Sequence, residues 1–181
     1  MTCSSVSHCP SLRRSSSRAF TLIEMLVVIA IITILGGLVL AAVVTARRTA
    51  KERSIDATLQ LLKGHLDRYE TDFQDYPPSD GDTDGIRGSE NLYRCLRTEK
   101  KEGPYITGNE VQTCDVNKNG ELEVADAFGR PIGYIHHRDY GNKPPNKRNY
   151  RLISSGVNGQ FENGARGSDD IVNWNKDKPD Q

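Results

Sequence analysis

With 181 residues, 24 basic and 24 acidic side chains, the chain has room for one modest domain plus appendages and carries no net charge. A zero balance gives no reason to expect nucleic acid as a partner. Residues 20–46 are apolar and nearly everything after Ala46 is polar, which describes a membrane anchor joined to a soluble head rather than one uniform globule.

Residues 1–19 form a Ser-rich leader with Arg13, Arg14 and Arg18. Met25 to Val44 then supplies 20 uncharged residues, about 30 Å of helix and so about one bilayer core. A secretory signal peptide shares the basic start. The apolar run is longer than its usual core, however, and no A-x-A site follows. Glu24 is the discordant residue, because a carboxylate entering hydrocarbon costs about 2.5–3.5 kcal/mol on insertion scales. A new amino group at Phe20, four residues before it, would offset that cost. Cleavage between Ala19 and Phe20 is therefore expected.

The stretch "AFTLIEMLVVIAII" resembles the leader of type IV pilins and type II secretion pseudopilins. The resemblance implies cutting before Phe20, N-methylation of Phe20, and a required Glu at mature position five, which is Glu24. The family usually has Gly before the cut, where this chain has Ala19.

Beyond Thr45, Ile55, Leu59, Leu62, Leu66, Tyr69 and Phe73 recur at spacings of 4, 3, 4, 3 and 4. That is one apolar helical stripe, and Pro77-Pro78 marks its stop. One helix is predicted from Phe20 to about Asp75, with residues 20–46 as the membrane and filament-core half and 47–76 as the amphipathic half. The positive-inside count is nearly balanced across the anchor, so orientation rests on the resemblance. From residue 77 a head is expected, with a variable loop over 77–114 and a short helical turn at Leu92–Leu96. Strands are expected in "GELEV", "RPIGYIHH" and "NYRLISSG", and Ile171 and Trp174 as anchors of the turn-rich tail.

This order of a long helix, "DAFGRPIGY", "YRLISSGVNGQ" and "DDIVNW" is similar to the major pseudopilin of type II secretion, from Phe20 to Trp174 with an enlarged middle. The resemblance implies an α+β fold: a long N-terminal helix packed on a small antiparallel sheet, with a loop-rich C-terminus. It also implies a calcium ion in the loop over 154–174, with Asn158 and Asp170 where the family has acidic ligands, and Ser155 and Asp169 beside them. Asn158 is neutral, so one charge is lost. A solvated loop without metal is the competing account.

Two further stretches suggest calcium by spacing alone. "DVNKNGELEVAD" puts Asp115, Asn117, Asn119, Gly120 and Asp126 at positions 1, 3, 5, 6 and 12 of an EF-hand-like loop. "DGDTDGIRGSEN" offers Asp80, Asp82, Asp84 and Gly85, with Asn91 at position 12. Acidic turns explain both equally simply. Cys95 and Cys114, 19 residues apart, allow a disulfide worth roughly 3 kcal/mol in an oxidising compartment or two separate thiols. His136 and His137, if both lie in a strand, point to opposite faces and cannot share a metal. No nucleophile elbow, phosphate loop or HExxH pattern occurs, so an enzyme is not expected.

The resemblance implies a homo-oligomeric periplasmic filament that drives export of folded proteins. Its implied partners are other pseudopilins, prepilin peptidase, an inner-membrane platform and a secretin. The implied place is the inner membrane, single pass, with the head periplasmic. A type IV pilin or competence pseudopilin, and an anchored calcium-binding module, are the alternatives.

Overall fold

The computed structural model describes residues 20–81, 85–139 and 150–174. The leader, with Ala19 and its expected cleavage, and Asp82 and Asp84 of the second acidic stretch lie outside these. Helix α1 spans Leu22–Phe73, and the chain divides into two compact units at Val43 and Val44.

In the first unit Thr21 precedes α1 and Glu24 sits in its first turn. The apolar side chains from Phe20 to Val43 are exposed, Leu22 at 83% and Leu38 at 66%. By length and composition this stretch is fit to cross a membrane.

The second unit has its own core. Ile55, Leu59, Leu62, Leu66 and Tyr69 are buried along one side of α1, as the stripe predicts. The helix ends at Phe73, two residues before the expected stop. Gln74 adopts φ +59°, and its amide closes the last turn on Glu70 O at 2.7 Å. Helix α2 spans Ile86–Leu96, longer than the expected turn at Leu92–Leu96 and inside the stretch expected to be loop. Its burial includes polar Ser89, Glu90 and Asn91, which is why an apolar period did not reveal it.

Strands β1 (Gln112–Cys114) and β2 (Glu123–Ala125) pair antiparallel, with Thr113 opposite Val124. Strands β3 (Gly133–His136), β4 (Tyr150–Ser154) and β5 (Ile171–Val172) form a second antiparallel sheet in that order. Tyr134 faces Leu152, and Ile153 faces Val172. The fold is thus α+β with antiparallel sheets. β2 starts later than the "GELEV" pattern suggests, because Asn119 and Gly120 donate their N–H groups to Asp115 instead.

The stripe of α1 packs with Leu92, Leu96, Tyr105, Ile106, Val124, Ile132, Tyr134 and Leu152 in one core. Tyr134 is fully buried, yet its hydroxyl donates to Pro77 O at 2.6 Å, so no polar cost remains at that atom. α2 lies so close to β3 that a Cβ on Gly88 would stand 1.9 Å from Tyr134 O. Gly64, on the open side of α1, has no atom within 4 Å of its Cβ position. Gly88→Ala is therefore expected to cost about 2–3 kcal/mol in urea unfolding. Gly64→Ala is expected to stabilise by up to about 1 kcal/mol. Equal effects of the two would contradict this packing.

Candidate functional site

The N-terminal site is built by helix capping. Thr21 N and Thr21 Oγ1 both donate to Glu24 Oε2 at 2.8 Å, and Glu24 N donates back to Thr21 Oγ1 at 3.3 Å. This is a capping box, in which a Thr before the helix and a Glu three residues on satisfy each other's orphan donors. The pattern T-x-x-E was readable in the sequence. Glu24 thus has a role within its own chain besides the one expected with an amine, and both bonds to its carboxylate fall on Oε2. Phe20 is 70% exposed at the open end.

The C-terminal loop leaves β4 at Ser155, turns through 156–159 and returns at Asp169-Asp170 ahead of β5. Asp169 Oδ2 accepts from Val157 N at 2.9 Å and Asn158 N at 2.8 Å. Asp170 Oδ2 accepts from Glu162 N at 2.9 Å and Gly164 N at 2.8 Å. The two acids fold the loop around themselves. Their other oxygens, Oδ1 of each, are buried without a hydrogen-bond partner. Glu162 joins them, with ligand atoms of all three within 4.8 Å of one another. Glu162 was not singled out from the sequence because it lies outside the family pattern, although an acid in a Gly-rich loop was a visible signal. Asn158 is used locally: Oδ1 accepts from Gln160 N at 2.7 Å, and Nδ2 donates to Glu162 at 3.2 Å. Ser155 is buried, and its carbonyl accepts from Gly159 N at 3.1 Å. Ile171 packs against the core. Trp174 lies over Gly164, where a Cβ would stand 2.5 Å from the indole.

The EF-hand-like reading of Asp126 fails. Asp126 is fully buried and its carboxylate is already engaged. Oδ1 accepts from Phe128 N at 2.8 Å and Arg130 N at 3.0 Å, and Oδ2 accepts from Ser154 Oγ at 2.6 Å. It caps the turn after β2 and fixes that turn to β4, so its spacing match is coincidental. Of the second stretch, Asn91 donates to Asp80.

Cys95 and Cys114 are two separate free thiols rather than a disulfide. Cys95 lies on α2, packed against the core, and Cys114 ends β1. Burial pushes the Cys95 thiol up. Burial, then the charges of Glu123, Asp126 and Asp115, push Cys114 up to about 11.

The two histidines also differ from expectation. β3 ends at His136, and His137 begins a 3₁₀ turn over His137–Asp139. The ring centroids therefore stand 4.1 Å apart rather than on opposite faces. His136 Nε2 lies 3.1 Å from Asp75 Oδ1, and Arg138 donates to Asp75 Oδ2 at 2.6 Å. These contacts tie the end of α1 to the end of β3. Burial opposes ionisation of Asp75, but the His136 and Tyr76 N–H bonds and the charges of His136 and Arg138 outweigh it and hold the carboxyl below its usual range.

An exposed apolar helix behind a capped Glu, joined to a small antiparallel head, defines a pilin-like subunit. A family profile for the prokaryotic N-terminal methylation motif matches residues 14–44. The type II secretion system core protein G of Pseudomonas aeruginosa is 31% identical over 165 residues, covering 90% of this chain and 99% of that protein. The same-named protein of Escherichia coli K12 is 28% identical over 163 residues, 89% and 93% of the two chains. That of Klebsiella pneumoniae is 27% identical over 114 residues, 59% and 81%. No solved structure matches significantly. The chain belongs to the family of type II secretion system core protein G, the major pseudopilins.

Burial holds two histidines below their usual range. For His137 the charge of His136 adds to burial and Asp75 opposes it. For His65 the charge of Glu110 opposes burial. The unfolded chain then binds more protons below pH about 6.5, so stability is full above that value and is lost as the pH falls through the lowered folded pKa values. The melting temperature is expected to decline from pH 7 towards 5, and His137→Gln to make that decline shallower. A melting temperature that holds steady over this window would refute it.

Proposed function

We propose that this pseudopilin is processed before Phe20, anchored in the inner membrane with its head in the periplasm, and assembled into a periplasmic filament. That filament helps to drive folded proteins across the outer membrane. The observation that carries this reading is the surface of α1 from Phe20 to Val43, apolar and uncovered in a single chain. In water that surface is strongly unfavourable at roughly 25 cal/mol per Å². Lipid covers it before assembly, and the same segments of neighbouring copies cover it afterwards. The likeness to core protein G over nine-tenths of the chain favours secretion over adhesion, motility or DNA uptake.

Glu24 has two partners in this scheme. Within the chain it caps α1 through Thr21. Between chains it takes the methylated amine of Phe20 on a neighbour. A charge pair in a low-dielectric filament core is stronger than one at a surface, less the cost of desolvating both ions. A subunit out of register leaves the acid unpaired, so the pair also sets alignment. The work is mechanical and needs no catalytic residue. Its partners are prepilin peptidase, other pseudopilins, a membrane platform and a secretin.

The C-terminal loop fits calcium. Oδ1 of Asp169 and Oδ1 of Asp170 are buried acceptors without donors, which costs about 1–3 kcal/mol each unless satisfied. With Glu162 they make an all-oxygen set suited to a hard cation. Glu162 also restores the charge missing at Asn158. Calcium bound there would offset two of the three negative charges and fix the return of the chain into β5.

Intact-mass measurement of the membrane-extracted chain is expected to show residues 1–19 removed and one methyl group on Phe20; a retained leader would overturn the scheme. Glu24→Ala is expected to leave the head folded and to abolish cross-links between copies, whereas wild-type cross-linking would exclude the pairing role. EDTA is expected to lower the melting temperature of the full chain in detergent by roughly 5–10 °C, as for a cation at about a hundred times its Kd. Asp170→Asn should reduce that shift. An unaltered melt with EDTA would remove calcium from the account.

A further inference from the structure

The chain distributes its bases unevenly about the apolar run. Residues 20–46 contain no Lys or Arg, and Arg47, Arg48, Lys51 and Arg53 follow at once. One acid, Glu52, lies among them, and the next along α1 is Asp56. Removal of residues 1–19 takes away Arg13, Arg14 and Arg18, so every base of the processed chain lies on the head side of the span. With the head outside, that reverses the usual bias, which keeps Lys and Arg on the cytoplasmic side. Four bases carried across a membrane call for a counter-charge where they come to rest.

All four belong to the second unit, and all are exposed. Arg48 Nε donates to Glu52 Oε1 at 2.9 Å, an exposed i,i+4 pair that contributes little by itself. That bond uses one of the five N–H donors of the guanidinium. The side chains of Arg47 and Arg53 make no ion pair or hydrogen bond among the described residues. Lys51 Nζ stands 4.7 Å from the centroid of the Phe128 ring, and the Arg130 guanidinium 5.6 Å from the same ring. Arg130 is fixed there by donating to Gly156 O at 2.9 Å. The turn after β2 thus adds a fifth base on the Lys51 side of α1. Arg53 lies about 200° further round the helix than Lys51, so the positive charge forms a collar rather than a stripe.

We propose that this collar binds the phosphates of anionic phospholipid headgroups while the subunit waits in the membrane, a proposal that rests on the membrane-anchored reading above. The uncharged run is about one bilayer core long, so the residues just past it enter the headgroup layer. Long basic side chains there reach phosphate while their stems stay on apolar surface. Arg offers several donors to phosphate oxygens and Lys a point charge. Bases clustered beside a span draw anionic lipid from a mixed bilayer. The lipid supplies the counter-charge that the chain lacks at this level. It also sets the depth of the helix. Sinking would carry the bases into hydrocarbon, and rising would part them from phosphate and expose apolar side chains. A subunit that leaves for the filament gives up this lipid shell.

The test is electron spin resonance of spin-labelled lipids around the full chain, in vesicles of phosphatidylcholine mixed with phosphatidylglycerol. The wild-type chain is expected to hold phosphatidylglycerol in preference to phosphatidylcholine, and high salt to weaken that preference. Replacing all four bases, as Arg47→Gln, Arg48→Gln, Lys51→Gln and Arg53→Gln, is expected to lower it roughly fivefold, the effect of about one base at an anionic surface. Bases of a retained leader add the same background to every variant. An equal hold on the two lipids in the wild type, or an unchanged preference in the variant, would overturn the proposal. A variant that keeps the preference but loses cross-links between copies would give the collar to acids of a neighbouring copy instead. Should the fourfold variant fail to fold by circular dichroism, the Arg47→Gln, Arg53→Gln pair decides, since neither side chain has a partner in the head. Its preference is expected to fall about twofold or more, and no fall would overturn the collar. A chain washed from the vesicles by alkaline carbonate would overturn the anchoring and the collar together. A retained chain with no headgroup preference overturns the collar alone.

Discussion

The second unit is built against a single stripe of side chains, Ile55, Leu59, Leu62, Leu66 and Tyr69 on α1. Among the described residues one sheet has two strands, a pairing marginal by itself, and the other has three, the last only two residues long. Packing both, and α2, against one helix gives them a shared core. It also imposes close tolerances. α2 passes β3 at a distance that only a residue without Cβ allows, at Gly88, and the end of α1 is secured to β3 through Asp75, His136 and Arg138. The same helix presents an uncovered apolar surface in its first unit. One element therefore serves two media, and its sequence changes character near Ala46 accordingly.

Backbone N–H groups held by carboxylates give the loops of the head their shape. Asp115, Asp126, Asp169 and Asp170 each accept two of them. With few strands and many turns, the backbone has many donors without a ladder partner, and short acids supply what a ladder would. An acid with both oxygens engaged, such as Asp126, is a structural pin. Acids such as Asp169 and Asp170 pin the chain with one oxygen and keep the other buried without a donor.

That distinction explains what was legible in the sequence. The long helix, its stripe and the strands β3 and β4 follow from apolar periodicity, which records burial directly. α2 did not show because Ser89, Glu90 and Asn91 face inward on polar partners. Spacing placed Asp126 correctly for an EF-hand loop but could not reveal that Ser154 and two backbone amides had claimed it. The alternation rule for His136 and His137 failed because the strand stops between them. The capping role of Glu24 is legible in T-x-x-E, and the same residue carries the membrane cost of a buried charge. Glu162 became visible only when the loop closed and brought it to Asp169 and Asp170.

Trp174 is the chain's only tryptophan. Its indole rests on Gly164, whose N–H is held by Asp170, and the Arg151 guanidinium stands over the ring at 5.0 Å. The tail thus carries its own optical probe, set one residue from an atom that the acidic loop depends on. Any rearrangement of that loop alters the packing and charge around a single emitter. Its fluorescence therefore reports on one identifiable corner of the head, without added label and without contributions from a second indole.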